Sequence, residues 1–214
     1  MTEAVQESAT RRAYRVLERM IVTLELSPAS VTTEGALIER IGLGRTPVRE
    51  AIQRLAWEGL LEVRARAGLA VAPLRASDWV KIIDARRGVE AVLARAAARH
   101  ATRETAQRFH DAALSMRKAA ISGNVLAFLQ ADKALDEAMA DAADNPYAAL
   151  AAAPLQTHSR RFWYRYQAES GLAAAADRHM ALIKAVLDGD GEAAAAESDR
   201  LMDLLRTYAE DAAR

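Results

Sequence analysis

Alanine content is the feature of this 214-residue sequence that most restricts its fold. The chain contains 50 alanines, of which 45 follow Glu50, whereas β-branched residues are concentrated in the first 90 positions. Alanine has the highest helix propensity of the common residues, and β-branched residues favour strands. The sequence therefore predicts a mostly α-helical protein in which any β-sheet lies in the N-terminal third.

The remaining composition excludes several classes of protein. A chain with 51% apolar and 27% charged residues is expected to fold rather than stay disordered. The absence of cysteine excludes a disulfide scaffold, a thiolate zinc site and a cysteine nucleophile, and it fits a cytoplasmic location. No uncharged stretch is long enough for a membrane span, and the acidic N-terminus lacks the apolar segment of a secretion signal.

The N-terminal part, residues 1–75, has the pattern of a winged helix-turn-helix domain. Apolar spacing predicts a helix over residues 10–25 and a short helix over residues 34–40, and the second is capped by Thr32 or Thr33. A third helix is expected to begin at Thr46-Pro47, with the threonine as its N-cap. Residues 61–71 alternate in polarity around a central glycine, which predicts a small β-hairpin.

The third predicted helix carries the side chains best suited to DNA. Its apolar residues Val48, Ile52 and Leu55 share one face, so the polar residues between them face outward. Arginine suits phosphates and guanine edges, and glutamine suits adenine. The candidate DNA contacts on and near this helix are Arg45, Thr46, Arg49, Gln53, Arg54 and, at the hairpin tip, Arg66. A solvated surface helix is the alternative that composition alone leaves open.

The sequence GRTPVREAIQRLAWEGLLEVRARAGLAV over residues 44–71 closely resembles the signature of GntR-type winged-helix transcription regulators. The resemblance implies DNA-contact roles for Arg45, Thr46 and Arg49, and for the wing around Gly68. The chain departs from the family at Gly35, where many members have an arginine that reaches DNA.

The C-terminal part, residues 76–214, contains six helix-length segments separated by short breaks of glycine, asparagine, serine or proline. Six helices of about 15–23 residues fit an antiparallel bundle with short loops. Three local motifs in this part, at residues 86–90, 132–136 and 177–190, resemble the FCD effector domain of the FadR branch. The resemblance implies a domain that binds a small molecule and forms the homodimer.

The FCD resemblance also implies candidate metal ligands. Many FCD proteins hold a divalent metal with one aspartate and three histidines, and the matching positions here carry Asp132, Asp136, His179 and Leu201. Two carboxylates and one imidazole make an incomplete site with a preference for harder ions. Alternatively, Asp136 is solvated or paired with an arginine and the pocket works without a metal.

Three further residues are candidates for binding an organic acid, namely Arg86, His158 and Arg161. Arginine can hold a carboxylate with two parallel hydrogen bonds. Alternatively, Arg86 forms a salt bridge with Glu90 or with the acidic pair Asp132 and Asp136, and His158 is structural.

Together these features predict a homodimeric transcription regulator that represses metabolic genes. The winged helix would bind palindromic operator DNA, and the helical bundle would bind a small carboxylate. The alternatives are a metal-dependent enzyme built on the bundle and an adaptor whose winged helix binds proteins.

Overall fold

The computed structural model describes residues 7–65, 68–166 and 171–214 of the chain. It divides into two compact units, Met1–Arg75 and Ala76–Arg214. The described residues of the first unit form three helices and three strands: α1 (Ala9–Val22), β1 (Val31–Thr32), α2 (Glu34–Ile41), α3 (Arg45–Trp57), β2 (Leu61–Arg64) and β3 (Gly68–Val71). Those of the second form six helices: α4 (Ala76–His100), α5 (Arg103–Ile121), α6 (Val125–Ala143), α7 (Pro146–Tyr166), α8 (Gly171–Leu187) and α9 (Gly191–Ala213).

The core of the first unit joins its helices to its sheet. Leu17 and Ile21 of α1 are fully buried against a cluster that includes Leu37 of α2 and Leu55 of α3. Because apolar residues three and four positions apart fall on one side of a helix, each helix contributes one stripe to this cluster. The polar residues between those stripes are left on the surface.

The small sheet has the strand order β1-β3-β2, and both pairings are antiparallel. The predicted hairpin is confirmed by β2 and β3, in which Leu61 lies opposite Val71. Strand β1 was not predicted from the sequence. Its two residues are too few to show an alternating pattern, and only the pairing of Val31 with Ala70 defines the strand.

Two helix ends differ from the sequence prediction. Helix α1 ends at Val22 rather than near Glu25, and Leu24 adopts a left-handed conformation with φ of 60°. The N-cap of α3 is Gly44, which makes no side-chain capping hydrogen bond, so the predicted N-cap Thr46 lies inside the first turn. Pro47 is tolerated there because the first-turn N–H groups of a helix have no intrahelical partner.

The second unit is built around α4, which contacts α6, α7, α8 and α9. Three of its helices begin at a residue whose side chain caps the helix. The Thr102 side chain accepts a hydrogen bond from the backbone N–H of Thr105 at the start of α5, and Asn124 and Asp190 cap α6 and α9. Closely packed alanines and larger residues such as Phe109 and Met202 fill the interior. None of the helices in the described part of the chain combines the length and hydropathy of a membrane span.

Candidate functional site

The first candidate surface is the outer face of α3. Arg45, Thr46, Arg49 and Gln53 are all exposed, whereas Val48 and Ile52 of the same helix are buried. The predicted division of this helix into an apolar and a polar face is therefore present in the structure. Two guanidinium groups and an amide stand on one solvent-facing surface, where they can donate hydrogen bonds to phosphates and base edges.

Arg49 has a partner that sequence reasoning missed. Its Nε and Nη2 donate to the two carboxylate oxygens of Glu34, at 3.2 and 2.9 Å. The hydrogen bond from Arg49 lowers the pKa of Glu34, and the positive charges of Arg49 and Arg45 lower it further. The two residues lie 15 positions apart on different helices, so no local sequence pattern predicts their pairing. The pairing depends on how α2 packs against α3. An exposed ion pair of this kind contributes at most about 1 kcal/mol, so the contact orients Arg49 only weakly.

Arg54 is placed differently from the other predicted DNA contacts. Its guanidinium lies 3.8 Å from the centre of the Tyr14 ring and donates to Glu58 at 2.9 Å. The Tyr14 hydroxyl donates to the same carboxylate at 2.7 Å. Arg54 therefore links α1 to the end of α3. To reach DNA, the Arg54 side chain would have to leave Tyr14 and Glu58 or contact DNA from this position. Its DNA-binding role stays a prediction.

The wing contains one residue whose backbone fixes its shape. Gly68 has φ of +85°, and a Cβ atom built there would lie 2.5 Å from the carbonyl oxygen of Thr32. Only glycine fits such a close approach at a positive φ. Arg66, predicted at the hairpin tip, lies outside the described residues. Arg64, on the outer strand, donates to Glu62 at 2.8 Å.

The second candidate site lies inside the helical unit and begins with Arg86. The Arg86 side chain is 8% exposed, and its Nε and Nη2 donate to Glu90 Oε1 at 3.0 and 2.7 Å. Gln156 of α7 donates to the same oxygen at 3.1 Å. Of the two alternative salt bridges predicted for Arg86, the one with Glu90 is observed. The charge of Arg86 is therefore balanced by a residue of the same helix.

Beside this pair, an arginine that the sequence analysis did not select holds the two aspartates of α6. Arg160 Nη1 donates to Asp132 Oδ2 at 3.4 Å and to Asp136 Oδ2 at 2.5 Å. Its Nη2 donates to the Thr157 hydroxyl at 3.1 Å. The other oxygen of Asp132 lies 3.1 Å from His179 Nε2, and His179 Nδ1 lies 2.7 Å from the carbonyl oxygen of Ala175.

This cluster perturbs the pKa values of its carboxyl groups in opposite directions. Burial raises the pKa of Asp132, but the hydrogen bond with His179 and the positive charge of Arg160 outweigh it and bring that pKa to about 2. Burial and the charge of Asp132 raise the pKa of Asp136 to about 7, although Arg160 opposes the rise. Burial lowers the pKa of His179, but Asp132 outweighs burial and raises it overall.

A cavity of about 20 Å³ adjoins the cluster, and Arg86, Asp132, Arg160 and His179 are its charged or titratable lining residues. A space of that size holds about one water molecule. Phe128 and Trp163, which stack with ring centres 5.2 Å apart, supply its aromatic wall. The predicted ligand contacts His158 and Arg161 lie on α7 but do not line this cavity.

His158 and Arg161 differ in exposure. His158 is half-buried, whereas Arg161 is 1% exposed, and burial lowers the pKa of Arg161 to about 10. Their predicted roles in binding an organic acid stay predictions.

The residues present do not fit a divalent metal. Asp132, Asp136 and His179 lie together as predicted, yet within the described residues no group of three His, Asp or Glu side chains is arranged to hold an ion. A guanidinium bridges the two carboxylates instead. The fourth position of the family pattern is Leu201, a buried core residue without a donor atom.

Comparison with known families accounts for both units. Residues 9–71 match the model of the bacterial regulatory proteins of the gntR family, and residues 81–204 match the FCD domain. The chain belongs to the FCD branch of the GntR family. It is therefore a transcription regulator whose winged helix binds DNA, and the matched families and relatives are regulators rather than enzymes.

Individual relatives agree with this family. The chain is 25% identical over 90% of its length to a probable D-xylose utilization operon transcriptional repressor of Paenarthrobacter nicotinovorans, of which the match covers 87%. It is 41% identical over 71 residues to an HTH-type transcriptional regulator of Streptomyces ambofaciens, but that match spans only 32% of this chain and 30% of the relative. The solved structure of McbR/YncC from E. coli superposes with a TM-score of 0.82 at 17% identity, over 96% of this chain and 99% of that one, which shows a shared fold.

Proposed function

We propose that this GntR-family regulator is a homodimeric repressor of metabolic genes. In this account residues 1–75 bind a palindromic operator, and residues 76–214 form the dimer and bind a small organic acid. The observation that carries the proposal is the exposed, cationic face of α3, which lies within the segment that matches the gntR family.

The operator contacts follow from the order of side chains along α3. Recognition helices of winged helix-turn-helix proteins enter the major groove of DNA. Arg45 and Thr46 stand in the first turn of α3, where unpaired backbone N–H groups and a cationic side chain suit a phosphate, so we assign phosphate contacts to them. We assign a base edge to Gln53, two turns later, because its amide matches adenine. Arg49, one turn along, is the strongest candidate for a guanine contact because the fork of its guanidinium matches that base edge.

Repression of metabolic genes is supported by the Paenarthrobacter nicotinovorans relative, whose name gives both a repressor and an operon for sugar utilization. Bacterial transcription regulators bind chromosomal DNA, which lies in the cytoplasm, so we expect the chain to act there.

The effector is proposed to enter beside Arg86. Because Arg86 is paired with Glu90 and the cavity that Arg86 lines holds about one water molecule, a carboxylate must replace Glu90 as the partner of this guanidinium. Such an exchange would shift α4, and a coupling of about 1–3 kcal/mol between the effector and operator sites would suffice for regulation. Thermal unfolding with a panel of small carboxylates tests this step, since a true effector stabilises the parent and fails to stabilise an Arg86→Met variant.

The homodimer is proposed to form through α5. Leu114 and Ile121 lie seven residues apart, so they share one face of the helix, and they are 71% and 82% exposed. Asp111 and Lys118, three residues before and four residues after Leu114, lie nearly symmetrically about that leucine. A second copy packed antiparallel on α5 with its centre at Leu114 would therefore bury the two copies of Leu114 together and bring each Asp111 to the partner subunit's Lys118.

Mobility-shift titration with the intergenic DNA upstream of the gene tests the operator contacts. Arg49→Ala is expected to weaken binding about 10-fold or more, in line with the loss of one bidentate base contact. Arg19→Ala is the matched control, because Arg19 is also exposed and also paired with a glutamate, but lies on α1. Equal binding by the parent and Arg49→Ala would contradict the assigned recognition helix.

A further inference from the structure

The acidic pair of α6 has a cation of its own. Asp132 and Asp136 lie one helical turn apart, and two carboxylates so placed repel one another unless a positive group lies between them. One atom, Arg160 Nη1, contacts an oxygen of each carboxylate, and the Arg160 side chain is 8% exposed. The guanidinium thus occupies the point where the two carboxylates converge, which is the point at which a shared metal ion would bind.

The remaining donor atoms near this point are also engaged. The second oxygen of Asp132 contacts His179 Nε2, and the second guanidinium nitrogen of Arg160 donates to the Thr157 hydroxyl. Leu201, at the fourth position of the family pattern, is 4% exposed and has no donor atom. A metal would have to displace a buried, always protonated arginine before it could reach three donors.

We infer that Arg160 is the resident cation of this FCD domain and replaces the divalent metal that its family pattern implies. The guanidinium links α7 to α6 in the way that a metal links the helices supplying its ligands. The site is consequently metal-independent in the parent protein and becomes a metal site only when the arginine is removed.

Elemental analysis and thermal unfolding of the full-length chain test the inference. The parent is expected to purify without stoichiometric zinc, manganese or nickel, and its Tm is expected not to change with EDTA, Mn²⁺ or Zn²⁺. In Arg160→Ala the two carboxylates lose their cation, so the Tm should fall by about 6 °C or more. Mn²⁺ or Zn²⁺ should then raise the Tm of this variant, because loss of the guanidinium frees Asp132, Asp136 and His179 to converge on an ion.

Two further variants separate the proposed role from a general loss of stability. The double variant Arg160→Ala with Asp132→Ala should no longer respond to either metal. Arg160→Lys keeps a positive charge, so it should remain insensitive to metals and be more stable than Arg160→Ala. If Arg160→Ala does not fold, comparison of Arg160→Lys with the parent protein tests the inference. A parent protein that carries one metal ion per chain or gains stability from added metal would overturn the inference. So would a folded Arg160→Ala variant that ignores both metals, or an Arg160→Lys variant that binds one.

Discussion

Gly68 shows how one residue determines the geometry of the wing. The backbone at this position has a positive φ, and a Cβ atom would collide with the Thr32 carbonyl oxygen at 2.5 Å. The glycine of the family motif therefore has a structural reason here: it lets β3 pass close to β1. A role for Gly68 at the DNA surface depends on this shape rather than on a side chain.

We expect Gly68→Ala to destabilise the winged-helix unit by about 2 kcal/mol or more, because the strained φ and the steric clash both oppose the folded state. Gly35→Ala is the matched control, since the nearest atom to a Cβ there is 3.9 Å away and alanine favours the helix. Urea unfolding measures both variants. An unchanged unfolding midpoint in Gly68→Ala would show that the close approach to Thr32 is unimportant.

At the scale of single residues, the sequence predicted which side chains of α3 face outward but not what they touch. The apolar spacing of Val48 and Ile52 was enough to place Arg45 and Arg49 on the surface. The pairing of Arg49 with Glu34 depends on how two helices pack, and no local pattern contains that information. For the same reason, the stacking of Arg54 on Tyr14 was not predicted.

At the scale of helices, the six segments of the second unit were predicted correctly because the sequence between them is rich in residues that break or cap helices. The internal cluster was predicted only in part. Asp132, Asp136 and His179 were selected, and pairing of Asp136 with an arginine was left open, but Arg160 was not identified as that arginine. Consecutive helical residues differ by about 100° in direction, so the rotation of α7 against α6 decides which arginine meets the aspartates.

The raised pKa of Asp136 predicts a specific pH dependence of stability. Its pKa is about 7 in the folded chain and near 3.8 when unfolded, so between these values the folded state holds a proton that the unfolded state has lost. The contribution of this group to stability is therefore full below about pH 4, declines as the pH rises to 7 and is gone above it. Asp136→Asn is neutral throughout and lacks this decline.

Chemical unfolding of the parent and Asp136→Asn at a series of pH values tests this prediction. The free energy of unfolding of the variant, relative to the parent, should increase between pH 5 and pH 8 by roughly 1 kcal/mol or more. The comparison cancels the carboxyl groups that do not interact with Asp136, because they contribute equally to both proteins. Parallel pH profiles would mean that Asp136 titrates near its ordinary pKa.

For the whole molecule, the proposed dimer makes α5 an interface. Leu114→Glu places a charge at the centre of an apolar contact, so dimer dissociation should become at least about 10-fold easier. Leu150→Glu is the matched control, because Leu150 is 74% exposed, against 71% for Leu114, but belongs to α7. Sedimentation equilibrium distinguishes the two, and a fully dimeric Leu114→Glu variant would exclude this face as the interface.

The central claim is that the basic face of α3 holds operator DNA, and salt-dependent binding tests it most directly. Fluorescence anisotropy between about 50 and 200 mM KCl should show affinity falling steeply and linearly on logarithmic axes, because each phosphate contact releases counterions. Arg45→Ala should weaken binding at every DNA sequence and reduce the slope by about 1. Affinity that does not respond to salt, or an Arg45→Ala variant with the parent's slope, would contradict the account.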